Sequence, residues 1–197
     1  CRAGVTGIRP VGLFDVSSYS SKLAGEVAGF QPDHFLGPKG IRNLDRTTLL
    51  SLVASKLAIE DSDLVVSADN SSQVGIVLGS TMGSVHSIST FDIEILREGP
   101  RYVNPALFPN TVINSPASQV AIRFGIKGLN ATISTGFTAG LDAIDYALDM
   151  LQLGRVSTIL AGGVEELCPE TFAGFDAISH PNEKPIIPGR CVDNTLG

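Results

Sequence analysis

Apolar positions along the chain follow two periods. Val74 to Leu78 and Val156 to Ala161 are short apolar runs stopped at Gly79 and at Gly162-Gly163, and both predict buried strands. Ala131 to Thr135 alternates β-branched and small residues up to Gly136 and predicts a third. Elsewhere the spacing is helical. Leu49, Leu50, Val53 and Leu57 form the stripe of a helix over Leu44 to Glu60, and Ile88, Phe91 and Ile95 mark another, stopped at Gly99-Pro100. Ser115-Pro116, read as cap then proline, opens a short helix that Phe124-Gly125 closes. After Ala139, the residues Leu141, Ile144, Leu148 and Leu151 share one stripe, which is expected to be buried. Asp142, Asp145 and Asp149 fall on another, and Gly154 follows the helix end.

Asn130 to Glu166 therefore reads strand, turn, helix, strand, one parallel crossover around which the chain is organised. Its turn, Thr135 to Gly140, is where chemistry is expected. A residue on a sharp strand-to-helix corner is raised to the strand ends, against the unpaired N–H groups and partial positive charge of the helix start. The apex residue is Phe137. A phenyl ring neither ionises nor accepts an acyl group, so covalent catalysis from this position is excluded. An apolar ring at such a corner is expected to plug a pocket, with burial contributing on the order of 1.5–3 kcal/mol.

The segment TGFTAGLDAI, Thr135 to Ile144, resembles the nucleophile motif of the β-ketoacyl synthases, the condensing enzymes of fatty-acid and polyketide synthesis in the thiolase-like superfamily. Phe137 stands where that family has its cysteine. Further segments are similar in the same order: Phe14 to Val27, Leu36 to Ser62, Gly75 to Ser84, Phe108 to Thr135, and AGGVEE at Ala161 to Glu166. The resemblance implies an α/β thiolase-like, layered α-β-α architecture, with a mixed, mostly parallel sheet. It makes residues 1–197 one ketosynthase N-terminal-like domain, with a strand expected before it and a second half after it. That half supplies two supporting histidines, and His34, His86 and His180 match neither motif. His86 reads instead as a surface or capping histidine.

Condensation needs a thiolate and donors for the developing enolate. With Phe137 in place of the thiolate, the resemblance implies a partner subunit like a chain-length factor, although those partners most often carry glutamine there. The alternatives are an active 3-oxoacyl-carrier-protein synthase homologue and a non-catalytic thiolase-fold scaffold. Phe137, Thr135 and Thr138, with Phe108 and Ile113 from the ordered loop Asn104 to Asn114, become candidates for an acyl or oxyanion pocket. Packing explains Phe108 and Ile113 equally well. Lys39, Arg42 and Arg46 read either as a solvated helix start or, by resemblance, as a docking patch for acyl carrier protein. The implied assembly is a dimer with itself or with a Cys-containing ketosynthase, formed by pairing of the Ala131 to Thr135 strand across a two-fold axis.

Composition narrows the remaining classes. At 197 residues, 43% hydrophobic and with no long apolar run, the chain suits an α/β domain and offers no membrane span. Its net charge of -6 disfavours nucleic-acid binding. Cys1, Cys168 and Cys191 show neither paired nor metal-like spacing, which predicts a reducing, cytoplasmic setting, no metal and no cofactor. The glycines of GSTMGS at Gly79 to Ser84 lack the Gly-Lys-Ser/Thr ending of a phosphate loop.

Overall fold

The computed structural model describes residues 5–178, which fall into two units: residues 5–30 with 167–178, and residues 31–166. In the first, strands β1 (Ile8–Pro10) and β2 (Leu23–Gly25) pair antiparallel, with Ile8 opposite Gly25. The second runs α1 (Pro32–Leu36), α2 (Arg46–Asp61), β3 (Val74–Gly79), α3 (Val85–Glu98), α4 (Ser115–Phe124), β4 (Asn130–Ile133), α5 (Ala139–Gln152) and β5 (Thr158–Gly163). Helix α6 (Pro169–Ile178) then completes the first unit. There Phe172, 1% exposed, meets the rings of Phe14 and Tyr19 edge-on at centroid distances of 5.7 and 5.2 Å. Cys1, His180, Cys191 and the proline-rich stretch that follows His180 lie outside the described residues.

The second unit is built on a parallel sheet of order β4-β3-β5. Val77 of β3 pairs with Ala131 on one side and Ala161 on the other. Every residue of β3 is buried, as its unbroken apolar run requires of a central parallel strand. Side chains alternate across the sheet. Val77 packs with Ala143 and Ala147 of α5, whereas Leu78 lines a cleft with Leu50, Ser51 and Ala54 of α2. Helices therefore cover both faces, the layered α-β-α arrangement.

Helix α5 buries a face other than the one expected. The buried residues of α5 are Ala139, Ala143 and Ala147, while Leu141, Ile144, Leu148 and Leu151 are 71, 52, 51 and 38% exposed. The reason lies in how closely α5 approaches the sheet. A Cβ on Gly79 would sit 2.1 Å from the Ala139 carbonyl oxygen, and one on Gly163 would sit 2.9 Å from Gly140 Cα. At that separation only alanine fits beneath the helix. Helix α2 turns Val53 inward and half-buries Leu49 and Leu50 as expected, but Leu57 is exposed and the rest of the buried set is Thr47, Thr48, Ser51, Leu52 and Ser55. Small side chains there allow close packing against α4.

Helix α3 turns Ile88, Phe91 and Ile95 inward as half-buried residues and stops at Gly99, whose φ is +91°. Asn114 rather than Ser115 takes the N-cap position of helix α4, without a side-chain cap bond; Pro116 lies in the first turn, and the helix ends at left-handed Gly125. The loop before it is ordered, as expected: Pro105–Thr111 is a 3-10 helix whose Asn104 side chain accepts the Ala106 N–H.

Candidate functional site

The carboxyl ends of β3, β4 and β5 converge, and ligands of open α/β sheets bind at strand ends of this kind. After Ile133 the chain turns through Gly136, whose φ of +87° suits glycine, and Ala139 N–H closes onto the Gly136 carbonyl at 3.0 Å. Phe137 occupies the apex. It is 69% exposed, so it does not plug a pocket within this chain, and burial contributes little to its placement. The corner lifts the ring clear of the strand ends.

A relay of hydrogen bonds fixes the corner. Thr81 Oγ1 donates to the Gly136 carbonyl at 3.0 Å, and Ser134 Oγ donates to the Thr81 carbonyl at 3.2 Å. The Thr81 loop is held in turn by Glu165, whose carboxylate accepts the N–H groups of Thr81 at 2.7 Å and Met82 at 3.3 Å. Beyond the apex, Asp142 accepts the hydroxyls of Thr135 and, at 2.9 Å, Thr138. These bonds, the Thr135 one foremost, hold the Asp142 carboxyl below its usual range. The start of α5 thus already faces a carboxylate of its own first turn.

The other expected site residues are placed as follows. Phe108, 57% exposed, lies against Phe91 of α3 with ring centroids 6.0 Å apart. Ile113 packs over Gly83, where a Cβ would be 3.0 Å from its Cγ1, so it borders the loop that carries Thr81. Lys39 and Arg42 are exposed, and half-buried Arg46 opens α2. Their segment is pinned by Arg123 of α4, whose guanidinium donates to the carbonyls of Leu36 and, at 3.1 Å, Lys39. His86 is exposed and opens the first turn of α3, in keeping with a surface residue. Cys168 is buried, its Sγ 3.0 Å from Thr171 Oγ1.

Arg123, Thr81, Asp142 and the paired acids Glu165 and Glu166 were not singled out by pattern. Isolated polar residues read as surface, and their partners are up to 87 residues away along the chain. The AGGVEE motif was the one available signal for the two glutamates. Among the described residues no group of three or more His, Cys, Asp or Glu is placed to hold a metal ion, and no helix is long and apolar enough to cross a membrane.

Parallel strand ends, an apex residue at a strand-to-helix corner and helices on both faces define an α/β protein of the thiolase-like ketosynthase class. The family model for the beta-ketoacyl synthase N-terminal domain matches residues 2–191, and the chain belongs to this family. It is 34% identical over 187 residues to a 3-oxoacyl-[acyl-carrier-protein] synthase 2 of Vibrio cholerae serotype O1, a match covering 93% of this chain and 45% of that protein. Among solved structures it resembles the ishigamide ketosynthase/chain length factor, at 30% identity and a TM-score of 0.71, over 85% of this chain and 47% of that one. A beta-ketoacyl synthase from Burkholderia phymatum STM815 is similar at 27% identity and a TM-score of 0.74, over 89% and 43%. The chain spans about half the length of the relatives it matches.

Proposed function

We propose that the protein carrying this chain is a ketosynthase-like subunit without a condensing nucleophile of its own. It pairs with a Cys-containing ketosynthase and shapes the acyl pocket during fatty-acid or polyketide synthesis in the cytoplasm. The single observation that carries this reading is Phe137: an exposed phenyl ring at the apex of a corner that is otherwise built and braced as a reactive corner is. Backbone N–H groups at the start of α5 can polarise a carbonyl, but with no thiolate beside them they bind and do not turn over. Thr135, Thr138, Phe108 and Ile113 border the acyl channel in this reading, and Lys39, Arg42 and Arg46 receive the acidic acyl carrier protein. Support for a paired subunit comes from the likeness to a ketosynthase/chain length factor. Strand β4 lies at the edge of the described sheet, as the proposed two-fold pairing requires.

An active homologue is the second reading, favoured by the identity to a 3-oxoacyl-[acyl-carrier-protein] synthase. Capture of the native, full-length protein followed by mass spectrometry separates the two. Co-recovery of a Cys-containing ketosynthase with acyl carrier protein supports the paired subunit. Recovery of the protein alone, with no carrier protein and no acyl adduct, overturns it.

A further inference from the structure

The basic segment between α1 and α2 is held from outside itself. Helix α1 ends at Leu36, and the chain then turns through Gly37 and Gly40, whose φ values of +71° and +78° suit glycine. A helix end leaves its last carbonyls without partners in the helix. Arg123, in the last turn of α4, supplies one for Leu36: Nη2 of its guanidinium donates to that carbonyl, and Nη1 donates to the Lys39 carbonyl at 3.1 Å. Nη1 also lies over Gly40, where a Cβ would be 3.6 Å away. The far end of the segment has a second tie. Asn110, 6% exposed, donates from Nδ2 to the Asn43 carbonyl at 2.7 Å. Asp45 then caps α2, its Oδ1 accepting the Thr48 N–H at 2.7 Å.

Within these ties stand Lys39 and Arg42, both exposed, with half-buried Ile41 between them. An untied loop with two glycines samples many shapes, and a partner must restrict them on binding. A loop already fixed in one shape avoids that cost. Resting on the docking reading of Lys39, Arg42 and Arg46, we propose that Arg123 is the positioning residue of this basic segment. Its guanidinium spends donors on two backbone carbonyls and so presents Lys39 and Arg42 as a preformed pair to the acidic surface of a carrier protein.

Arginine suits this task. Its planar fork carries five N–H donors in fixed geometry, so one side chain can hold two carbonyls at a set separation. By sequence Arg123 is one more surface cation. Its hydrogen bonds turn it instead toward the chain's own backbone, 84 and 87 residues away. The charge stays beside Lys39 and Arg42, while the shape of their loop depends on the donors. Removing Arg123 therefore changes the loop first. A side chain at Gly40, which disturbs the same turn and leaves every charge in place, should act in the same way.

The test is made on the native, full-length protein with acyl carrier protein as the probe. Arg123→Met keeps the apolar stem and loses the donors, whereas Gly40→Val keeps every charge and disfavours the +78° turn. Both are expected to weaken carrier-protein binding about fivefold or more. Both should also raise hydrogen exchange at the N–H groups of Lys39 to Arg42 about tenfold, with the interiors of α2 and α4 unchanged. In Gly40→Val the salt dependence of binding should keep its wild-type slope, since no charge has been removed. If Arg123→Met weakens binding and Gly40→Val does not, Arg123 is a contact charge and the positioning role is overturned. Wild-type binding by both variants overturns it as well, where reversal of Lys39, Arg42 and Arg46 to Glu still weakens binding. If that reversal changes nothing, the docking reading itself falls, and the positioning role with it.

Discussion

In the proposed reading Phe137 takes the place of a nucleophile, and the atoms around it form an ordered corner. Thr81, Ser134 and Gly136 still fix the turn, and Asp142 still gathers Thr135 and Thr138. A thiol placed there should therefore be reactive. In F137C, iodoacetamide is expected to alkylate the new thiol well ahead of buried Cys168, because that thiol is exposed and lies at a helix start. Removing the nearby negative charge with D142N should quicken that alkylation further, as the thiolate becomes easier to form. Competition experiments with peptide mapping check both, and equal labelling of the two cysteines would contradict them. Asp142 also has an acid signature. Its folded-state carboxyl is depressed, so its contribution is present above its ordinary 3.8 and fades as pH falls through the lower folded value. D142N is expected to flatten the acid limb of a Tm-against-pH curve.

At the scale of elements, α5 is defined by what lies beneath it. Gly79, Gly140 and Gly163 bring it so close to the sheet that alanines form its inner face. Ala143→Leu and Gly79→Ala should each destabilise by roughly 1–3 kcal/mol or more, through forced displacement of the helix. Urea unfolding midpoints measure this, and a neutral Ala143→Leu would place the wrong face inward. The elements themselves were legible in sequence: β3 and β5 from apolar runs, α3 from its stripe and Gly99, and the corner from the change of period. The inner face of α5 was not, because a pattern read by side-chain size selects leucines, and the close approach of backbones leaves no mark except glycine. Asp45, Glu165 and Glu166 were hidden for a related reason. Acids are mostly solvated, and only the fold brings these to helix starts contributed by distant segments.

For the molecule as a whole, the chain carries one ketosynthase-family domain and covers 45% of a curated relative. Among the described residues the leucine-rich outer face of α5 is exposed and β4 lies at the edge of the sheet. The proposed docking of acyl carrier protein belongs to this scale as well. Reversing Lys39, Arg42 and Arg46 together to Glu is expected to weaken binding of acyl carrier protein about tenfold or more, with the wild-type affinity falling as salt rises. Unchanged affinity would return those residues to plain surface. The most direct test of the proposal that this chain supplies no nucleophile is acyl transfer from an acyl carrier protein thioester to the native, full-length protein together with any ketosynthase it recruits, read by peptide mapping. The acyl group is expected on the cysteine of a partner ketosynthase, with the peptide spanning residues 130–152 unmodified. An acyl group on any residue of that peptide would contradict the account.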